Sequence, residues 1–409
     1  MKKLAIISTH PIQYNAPWFA MLSKKNGIKL KVFYTWSQKG QDNYDPDFNQ
    51  KIDWDIPLLE GYPYTFVNNT AKTPGGHRFN GIVCPSLIKE IREWGATHVL
   101  VFGWNYKAHF KAMRYFKGKI PVLFRGDSTL LDYEIRSIKS LVSSIKNNCH
   151  PTAIFSNLKS YGKYKLRKAF LSYIYRHIDT AFYVGQNNKA YFLEHGLKEN
   201  QLVFVPHAID NNRFFDSEEK QYEAKARRWR TELGIKEDDV VLLYAGKFES
   251  KKNPLFLLDI FKELSSDNKH LKLIFLGSGP LESQLKANAK SNSNIFFLPF
   301  QNQSTMPVVY RLSNIFCLPS QGPGETWGLA VNEALACGRP VIASDKVGCA
   351  IDLIPNTSCF KSGDIYSLIH ILQTNLDQIH RNKKEWFQNI IMPWNFNTLA
   401  ENLTAYIQK

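Results

Sequence analysis

The chain has 409 residues, too many for one ordinary hydrophobic core, so we expect two domains. Its hydrophobic fraction of 44% is typical of a globular protein. Its apolar runs are only as long as strands, which argues against a membrane-spanning helix. The six cysteines form no CxxC pair, so we expect buried free thiols in a reducing cytoplasm and no cysteine-based metal cluster.

The formal net charge of +16 lies almost entirely in the first half of the chain. Residues 1–200 carry 29 Lys and Arg against 14 Asp and Glu, whereas residues 201–409 carry 23 against 22. A basic half can meet nucleic acid, an anionic membrane surface or an anionic substrate. The sequence shows no nucleic-acid-binding module and no interleaving of aromatic and basic residues, so we expect no nucleic-acid partner.

The first half reads as alternating strands and helices, which is typical of a parallel α/β sheet. The predicted strands are residues 4–8, 28–34, 98–102, 120–124, 181–184 and 202–205. The predicted helices are residues 17–23, 85–93 and 188–195. Polar residues follow two of the strands, at the carboxyl edge where α/β sheets bind ligands. They are His10 and Gln13 after the first strand, and Arg125 and Asp127 after the fourth.

Residues 135–177 contain nine Lys and Arg and no Asp or Glu, mixed with Leu, Ile, Phe and Tyr. A basic segment with apolar side chains can lie on an anionic bilayer, where each basic residue adds about 1 kcal/mol. The alternative is an ordinary solvated helix face whose apolar side packs inward. The sequence leaves both interpretations open.

The second half repeats the α/β pattern. The predicted strands are residues 240–245, 271–276, 294–299, 315–318 and 341–343. The predicted helices are residues 220–233, 306–312 and 328–336, and residues 386–409 read as paired helices. The loop after the first of these strands carries Lys247 and Lys252, which are either solvated charges or ligands of an anion. Asp53 and Asp55, in the first half, read as ordinary loop acids.

Residues 319–344 combine a loop rich in Gly and Pro with a short helix that Gly338 ends. Glu325 lies just before this helix and Glu333 lies inside it. The amides around Gly328 and Leu329, at the start of the helix, are unpaired donors that suit a phosphate. From the spacing alone, the two glutamates are equally well explained as ordinary surface acids.

The same stretch reads PS-x-x-x-x-E-x-W-G-L-A-x-x-E-A-x-A-C-G-x-P-V-I-A-S. It closely resembles the donor-site signature of the retaining GT-B glycosyltransferases of family 4, the glycosyl transferases group 1. The resemblance implies two Rossmann-like doubly wound α/β domains that face a cleft. Residues 1–206 would bind the acceptor and residues 207–388 the nucleotide-sugar, and a C-terminal helix within residues 389–409 would cross back to the first domain.

The resemblance also implies roles for individual residues. Glu325 would hold hydroxyls of the donor sugar, Glu333 would hold the nucleotide ribose, and Lys247 and Lys252 would grip the donor diphosphate. The other residues expected at the donor site are Gly246, Thr326, Trp327, Gly328 and Leu329. Lys247 stands where relatives usually have Arg, which keeps the charge but loses the bidentate fork.

Two further assignments lie in the first half. Asp127 stands where relatives commonly have a His that contacts the donor sugar, and we place it with Glu325, Lys247 and Lys252 among the catalytic candidates. Residues 10–14, His-Pro-Ile-Gln-Tyr, resemble the opening loop of a subset of family 4. His10, Gln13 and Arg125 are therefore the acceptor-binding candidates, although His10 is nearly as well explained as a brace for its loop.

The expected reaction is transfer of a sugar from a UDP- or GDP-sugar to an acceptor hydroxyl, with retention and without a metal or another cofactor. The acceptor would be a saccharide or a lipid-linked molecule in cell-surface polysaccharide synthesis. We expect a cytoplasmic protein, peripheral at the inner face of the membrane if residues 135–177 bind lipid. Two alternatives remain: a nucleotide-sugar epimerase or hydrolase on the same fold, and a non-catalytic basic surface-binding protein.

Overall fold

The computed structural model describes residues 1–36, 44–45, 50–51, 53–147, 150–376 and 384–409. Within these residues the chain forms two parallel sheets, one in each half, and a short antiparallel pair. Helices cover both faces of each parallel sheet, which explains why most of its strands are continuous apolar runs.

The first parallel sheet has seven strands in the order β5-β2-β1-β6-β7-β8-β9. The strands of the first half are β1 (Lys2–Ser8), β2 (Ile28–Tyr34), β3 (Tyr44–Asp45), β4 (Gln50–Lys51), β5 (Tyr64–Phe66), β6 (His98–Phe102), β7 (Val122–Arg125), β8 (Thr180–Tyr183) and β9 (Leu202–Phe204). β3 and β4 are the antiparallel pair. The helices are α1 (Ala16–Ser23), α2 (Leu87–Trp94), α3 (Lys107–Phe116), α4 (Ile138–Asn147), α5 (Pro151–Tyr175) and α6 (Gln186–Glu194).

The second parallel sheet has six strands in the order β12-β11-β10-β13-β14-β15. These are β10 (Val240–Ala245), β11 (Leu271–Leu276), β12 (Ile295–Leu298), β13 (Ile315–Leu318), β14 (Val341–Ser344) and β15 (Cys359–Phe360). The helices are α7 (Asn211–Phe214), α8 (Tyr222–Glu232), α9 (Pro254–Asp267), α10 (Glu282–Ala289), α11 (Met306–Arg311), α12 (Leu329–Ala336), α13 (Ala350–Leu353), α14 (Ile365–Leu376), α15 (Lys384–Ile391) and α16 (Phe396–Gln408).

The last helix returns to the first sheet. Leu399, Leu403 and Ile407 of α16 are buried in the same apolar cluster as Trp18 and Leu22 of α1. This arrangement confirms the predicted fold class: two Rossmann-like sheets with a C-terminal helix that crosses back. The exact domain boundaries at residues 206 and 388 stay predictions, although the last strand of the first sheet ends at Phe204 and the first strand of the second begins at Val240.

Six of the described helices outside the basic segment were not predicted from the sequence: α3, α7, α9, α10, α13 and α14. α9 begins at Pro254, a residue favoured at the first helical position, so its start had a usable signal. α3 is harder to find because its buried side includes His109, which reads as polar in the sequence. The single basic segment at residues 135–177 is two helices, α4 and α5, in contact with each other.

Four of the five cysteines that the structure describes are buried, and none of the five forms a disulfide. Among the described helices, none combines the length and the apolar character that crossing a bilayer requires.

Candidate active site

The second sheet has a topological switch point between β10 and β13. These two strands are neighbours, but the chain leaves β10 toward β11 on one side and β13 toward β14 on the other. Parallel α/β sheets bind ligands at the carboxyl ends of strands that flank such a point. The loops after the two strands, residues 246–253 and residues 319–328, contain most of the predicted donor-site residues. We call the second loop the donor loop.

The donor loop is held by backbone contacts with the segment that follows β14. The N–H of Gly348 donates to the carbonyl of Glu325 at 3.1 Å, and the N–H of Cys349 donates to the carbonyl of Trp327 at 2.9 Å. A Cβ atom on Gly348 would lie 1.7 Å from the carbonyl oxygen of Thr326, so only glycine permits this approach.

α12 begins directly behind the donor loop. Gly328 precedes its first residue with φ of 95°, and no side chain caps this end of the helix. The first-turn amides of Leu329 and Ala330 are therefore left for another acceptor, with the partial positive charge of the helix end behind them. Such an end suits a phosphate group.

Glu325 and Lys252, which the sequence placed on the sugar and on the diphosphate, lie against each other. The Lys252 Nζ is 2.5 Å from Glu325 Oε2, and both side chains are largely buried. The Ser320 hydroxyl donates to the same carboxylate oxygen at 2.9 Å. A cation and a carboxylate therefore converge at the switch point from the ends of two neighbouring strands.

The loop that carries Lys247 packs closely on the loop after β11. The Phe248 N–H donates to the Ser278 carbonyl at 2.8 Å. A Cβ atom on Gly277 would lie 2.1 Å from the Gly246 carbonyl oxygen. The Tyr244 hydroxyl donates to the Lys247 carbonyl at 2.7 Å. Gly246 and Lys247 therefore lie on a braced backbone beside Lys252.

Glu333 is 3% exposed, and tyrosine hydroxyls reach both of its carboxylate oxygens. Tyr14 donates to Oε1 at 2.9 Å, and Tyr310 donates to Oε2 at 2.6 Å. Burial raises the pKa of Glu333, while the two hydroxyls and the positive charge of Arg213 act in the opposite direction. Tyr14 comes from the first half of the chain, so the predicted ribose ligand is bridged to the first domain.

Asp127 also bridges the two halves. Its carboxylate accepts a hydrogen bond from the Thr326 hydroxyl at 2.7 Å. Nearby, the carboxylate of Asp132 accepts one from the backbone N–H of Gly324 at 2.9 Å. Two acidic side chains from the loop after β7 therefore hold the donor loop from the side of the first domain.

Trp327 supports the site from behind. Its ring is buried, and its Nε1 donates to Asn332 Oδ1 at 2.9 Å. The ring centroid lies 5.7 Å from that of His207 and 5.2 Å from that of Trp394. These contacts place Trp327 in the packing between the halves, where it positions the donor loop.

The three acceptor candidates occupy different environments. His10 lies with its Nδ1 3.0 Å from the Thr9 hydroxyl and its ring edge-on to Trp36, and burial lowers its pKa. Gln13 is partly buried on the same loop. Arg125 is 5% exposed, and its two terminal nitrogens donate to the carbonyls of residues 205 and 206 at 2.8 Å each. The structure therefore places Arg125 as a brace for the link between the sheets, since its guanidinium is committed to backbone rather than open to an acceptor.

Sequence reasoning missed several residues of the site: Tyr14, Tyr310, Ser320, Asp132 and His207. Tyr14 belongs to the His-Pro-Ile-Gln-Tyr stretch, so the family resemblance could have identified it. Ser320 is the Ser of the quoted motif, so it too had a signal. Tyr310, Asp132 and His207 depend on which elements pack together, and their local sequence carries no signal for it.

Asp53 and Asp55, expected to be ordinary loop acids, form another connection between the two halves of the chain. The Asn302 side-chain amide donates to the Asp53 carbonyl at 2.6 Å, and the Ser304 N–H lies 3.1 Å from the Asp55 carboxylate. Trp54 meets Phe300 edge-on at 6.2 Å. This segment of the first half therefore reaches the loop after β12.

One group of acidic and histidine side chains among the described residues comes within metal-binding distance of one another, namely Asp238, Asp239 and His270. It precedes β10 and β11 and so lies at the amino edge of the second sheet, opposite the switch point. Lys272 also approaches Asp239, at 3.7 Å.

Comparison with known sequences connects this site to a family. Residues 225–382 match the family model described as glycosyl transferases group 1. The chain is 32% identical over 130 residues to a lipopolysaccharide 1,2-N-acetylglucosaminetransferase of Salmonella typhimurium, which covers 29% of this chain and 34% of that protein. It is 30% identical over 142 residues to an alpha-monoglucosyldiacylglycerol synthase of Streptococcus pneumoniae, covering 34% of this chain and 31% of that protein. The similarity therefore spans about a third of the length of these relatives.

Comparison of whole structures extends over both halves. A sucrose-phosphate synthase from Thermosynechococcus elongatus superposes with a TM-score of 0.69 at 17% identity, covering 100% of this chain and 98% of that one. Anabaena Alr3699/HepE, solved in complex with UDP and glucose, superposes with a TM-score of 0.64 at 14% identity and covers 100% of both chains. At these identities the likeness shows the fold, and the predicted resemblance is confirmed: the chain has the GT-B fold, and residues 225–382 match the glycosyl transferases group 1 model.

Proposed function

We propose that this protein transfers a sugar from a UDP- or GDP-sugar to an acceptor hydroxyl. The observation that carries the proposal is the convergence of Lys252 and Glu325 at the switch point, beside the uncapped start of α12. A cation and free amides fit a diphosphate, and a carboxylate next to them fits sugar hydroxyls. The group 1 match at residues 225–382 supports the same assignment.

The parts of the donor would be distributed along this edge of the sheet. Lys247 and Lys252 face the diphosphate together with the amides of Leu329 and its neighbours. Glu325 then exchanges its partner Lys252 for hydroxyls of the sugar. Glu333 holds the ribose. UDP is bound in the Anabaena structure, which is similar in fold to this chain.

We further propose that the anomeric configuration is retained and that no metal takes part. On a retaining path the leaving diphosphate helps to remove the acceptor proton on the same face of the sugar, so the protein must stabilise developing negative charge. Two lysines and a helix end supply positive charge without a metal ion. Asp127, whose carboxylate accepts a hydrogen bond from Thr326 of the donor loop, would contact the transferred sugar.

The donor site is tested by thermal unfolding with UDP, GDP and their sugar conjugates, in the presence of EDTA. A ligand at about 100 times its Kd adds roughly 2.7 kcal/mol to the free energy of unfolding, which is a measurable shift in Tm. We expect one nucleotide series to stabilise the wild type and to stabilise Glu333→Gln less. Absence of a shift with every nucleotide would overturn the proposed function.

The chemistry is tested with Lys252→Ala. Loss of one group that stabilises transition-state charge costs roughly 2.7–4 kcal/mol, so turnover should fall at least about a hundredfold. Lys251→Ala is the matched control, because Lys251 is adjacent and pairs with Glu249 at 3.2 Å instead of Glu325. Near-normal turnover of Lys252→Ala would show that the diphosphate lies elsewhere. Product analysis without an acceptor separates a transferase from an epimerase or hydrolase.

We propose that the acceptor is a saccharide or a lipid-linked molecule met at the cytoplasmic face of a membrane, and that His10 and Gln13 contact it. α5 supports the membrane association. Its Phe155, Leu158, Leu166, Phe170 and Tyr173 are exposed, and their helical spacing puts them on one stripe. Its buried side chains, such as Leu171 and Tyr175, lie on the opposite side of the helix.

This apolar stripe, which we define as those five exposed side chains of α5, is flanked by basic residues. Lys159, Lys163 and Lys165 are exposed next to it, and the segment at residues 135–177 has no acidic side chain. An apolar stripe with cationic flanks matches an anionic bilayer surface, where the ring and aliphatic side chains enter the interface and the ammonium groups meet the head groups.

Vesicle sedimentation tests this surface. We expect binding to vesicles that contain phosphatidylglycerol, weakened at high salt and absent with phosphatidylcholine alone. Phe155→Ser with Leu166→Ser, which are 71% and 75% exposed, should reduce binding at least tenfold. Tyr366→Ser, at an 85% exposed position of α14, is the control and should leave binding unchanged. Equal binding to both vesicle types would contradict the proposal.

A further inference from the structure

The carboxylate of Glu333 is closed off by two tyrosines that come from different parts of the chain. Tyr310 lies on α11, in the same domain as Glu333. Tyr14 lies in the loop between β1 and α1 of the first domain. Their hydroxyls donate to opposite carboxylate oxygens, Tyr310 to Oε2 at 2.6 Å and Tyr14 to Oε1 at 2.9 Å.

A buried polar network surrounds the Tyr14 contact. Gln303, which is buried, hydrogen bonds to Tyr14 and accepts from Arg213 at 3.0 Å. Burial and the neighbouring Glu333 raise the pKa of Tyr14 well above its usual range, so its hydroxyl remains a donor at physiological pH. Because a buried carboxylate is costly without hydrogen bonds, the network favours the state in which Tyr14 is docked.

This arrangement conflicts with direct entry of a nucleotide. A ribose hydroxyl that binds Glu333 needs an oxygen of that carboxylate and space beside it, and here only 3% of the residue is exposed. Tyr310 is fixed to the carboxylate from within the same domain. Tyr14 belongs to the first domain, so a separation of the two domains would withdraw its hydroxyl from Glu333.

We propose that Tyr14 is a displaceable latch of the donor site: its hydroxyl occupies the Glu333 oxygen that a ribose hydroxyl takes when the donor binds. The inference rests on the proposed function for the identity of the ligand. The exchange replaces one hydroxyl donor by another, so the carboxylate is never left buried and bare. Because only unlatched molecules bind the nucleotide, the apparent Kd equals the intrinsic Kd divided by the unlatched fraction.

The test compares two substitutions that remove a hydroxyl from the same carboxylate, Tyr14→Phe and Tyr310→Phe. Titration calorimetry measures the Kd for UDP and for GDP. Small-angle scattering without nucleotide measures the radius of gyration. A hydrogen bond to a charged group corresponds to roughly a tenfold change in an equilibrium constant. We therefore expect Tyr14→Phe to bind the preferred nucleotide about ten times more tightly than the wild type and to have a larger radius of gyration.

Tyr310→Phe is the matched control, because the hydrogen bond to Glu333 that it removes joins two residues of the same domain. We expect it to bind the nucleotide no more tightly than the wild type and to keep the wild-type radius. Unchanged or weaker binding by Tyr14→Phe would overturn the latch. If neither the wild type nor any variant binds either nucleotide, the proposed function is overturned. The radius of gyration then tests the latch by itself, and equal radii for Tyr14→Phe and the wild type reject it.

Discussion

Paired charges at the switch point show how single residues of this site are held before a substrate arrives. Lys252 and Glu325 neutralise each other at 2.5 Å, and Ser320 shares the same carboxylate oxygen. A largely buried carboxylate is costly unless it is paired and hydrogen bonded. The pair therefore holds the two loops together while no donor is bound. In the proposed complex the lysine binds phosphate oxygens of the donor, and the glutamate binds its sugar hydroxyls.

His109 provides a residue-scale prediction about pH. It is fully buried on α3, with Nε2 2.9 Å from the Thr35 hydroxyl and Nδ1 3.0 Å from the Phe102 carbonyl. Burial lowers its pKa to about 4, although the backbone hydrogen bonds act in the opposite direction. The unfolded chain takes up a proton below about pH 6.5 while the folded protein does not, so stability should fall as the pH drops from 6.5 to 4.

One pKa unit corresponds to about 1.4 kcal/mol, so His109 should contribute on the order of 3 kcal/mol to this loss. The measurement is the free energy of unfolding in denaturant at pH 7 and at pH 4. In His109→Gln the difference between the two pH values should shrink, though it should not vanish, because burial also lowers the pKa of His207 to about 4. His77→Gln, at an exposed position, is the control. An unchanged pH dependence in His109→Gln would contradict the assignment.

The residues of the site were easier to predict from the sequence than the residues that they contact. Glu325 and Glu333 were named from the long and specific motif at residues 319–344, and Lys252 and Asp127 from the resemblance of two other loops to the same family. Their contacts were not foreseeable. Arg125 was expected at the acceptor, but it is the last residue of β7, whose end meets the link at residues 205 and 206, and its guanidinium satisfies those buried carbonyls.

Strands were the elements that the sequence predicted best. A strand buried between two layers of helices is apolar along most of its length, so β10 and β13 are continuous apolar runs. β1 and β6 contain such runs at residues 4–7 and 99–102, whereas Lys29 and Lys31 alternate with apolar residues in β2 and Lys272 interrupts β11. β5 and β15, with three and two residues, were not predicted, because so few residues show no pattern of their own. Helices such as α10 and α14 lie on one face of the sheet, and their mixed polar and apolar residues give a weaker signal than a buried run.

α5 illustrates a limit of element-scale prediction. Its composition identified a basic and apolar segment but not which apolar residues face outward. The helix has two apolar sides: one is buried with Leu171 and Tyr175, and the other is the exposed stripe from Phe155 to Tyr173. Composition treats these sides alike, since only the packing of the helix on its neighbours decides which of them is covered.

The two halves of the molecule are joined in both directions. The link at residues 205–210 leads from the first sheet to the second, and α16 brings the end of the chain back. Asn395 bridges to Ile209 beside this link, and Asn402 donates to the Phe204 carbonyl at 3.1 Å. The Tyr406 hydroxyl lies 2.5 Å from that of Thr180 on β8. The last helix is therefore part of the first domain in packing, although it follows the second domain in sequence.

This whole-molecule arrangement predicts where a substitution near the C-terminus acts. Leu403 is fully buried against the first sheet, so Leu403→Ala should lower the free energy of unfolding by about 2–5 kcal/mol. Hydrogen exchange should speed up in β1, β2 and β9 and stay unchanged in β10, β11 and β13, because the cavity opens under the first sheet alone. Glu401→Ala, exposed on the same helix, should change stability by less than about 0.5 kcal/mol. Faster exchange in the second sheet instead would mean that α16 stabilises the donor domain, and that its return to the first sheet is not what holds the two halves together.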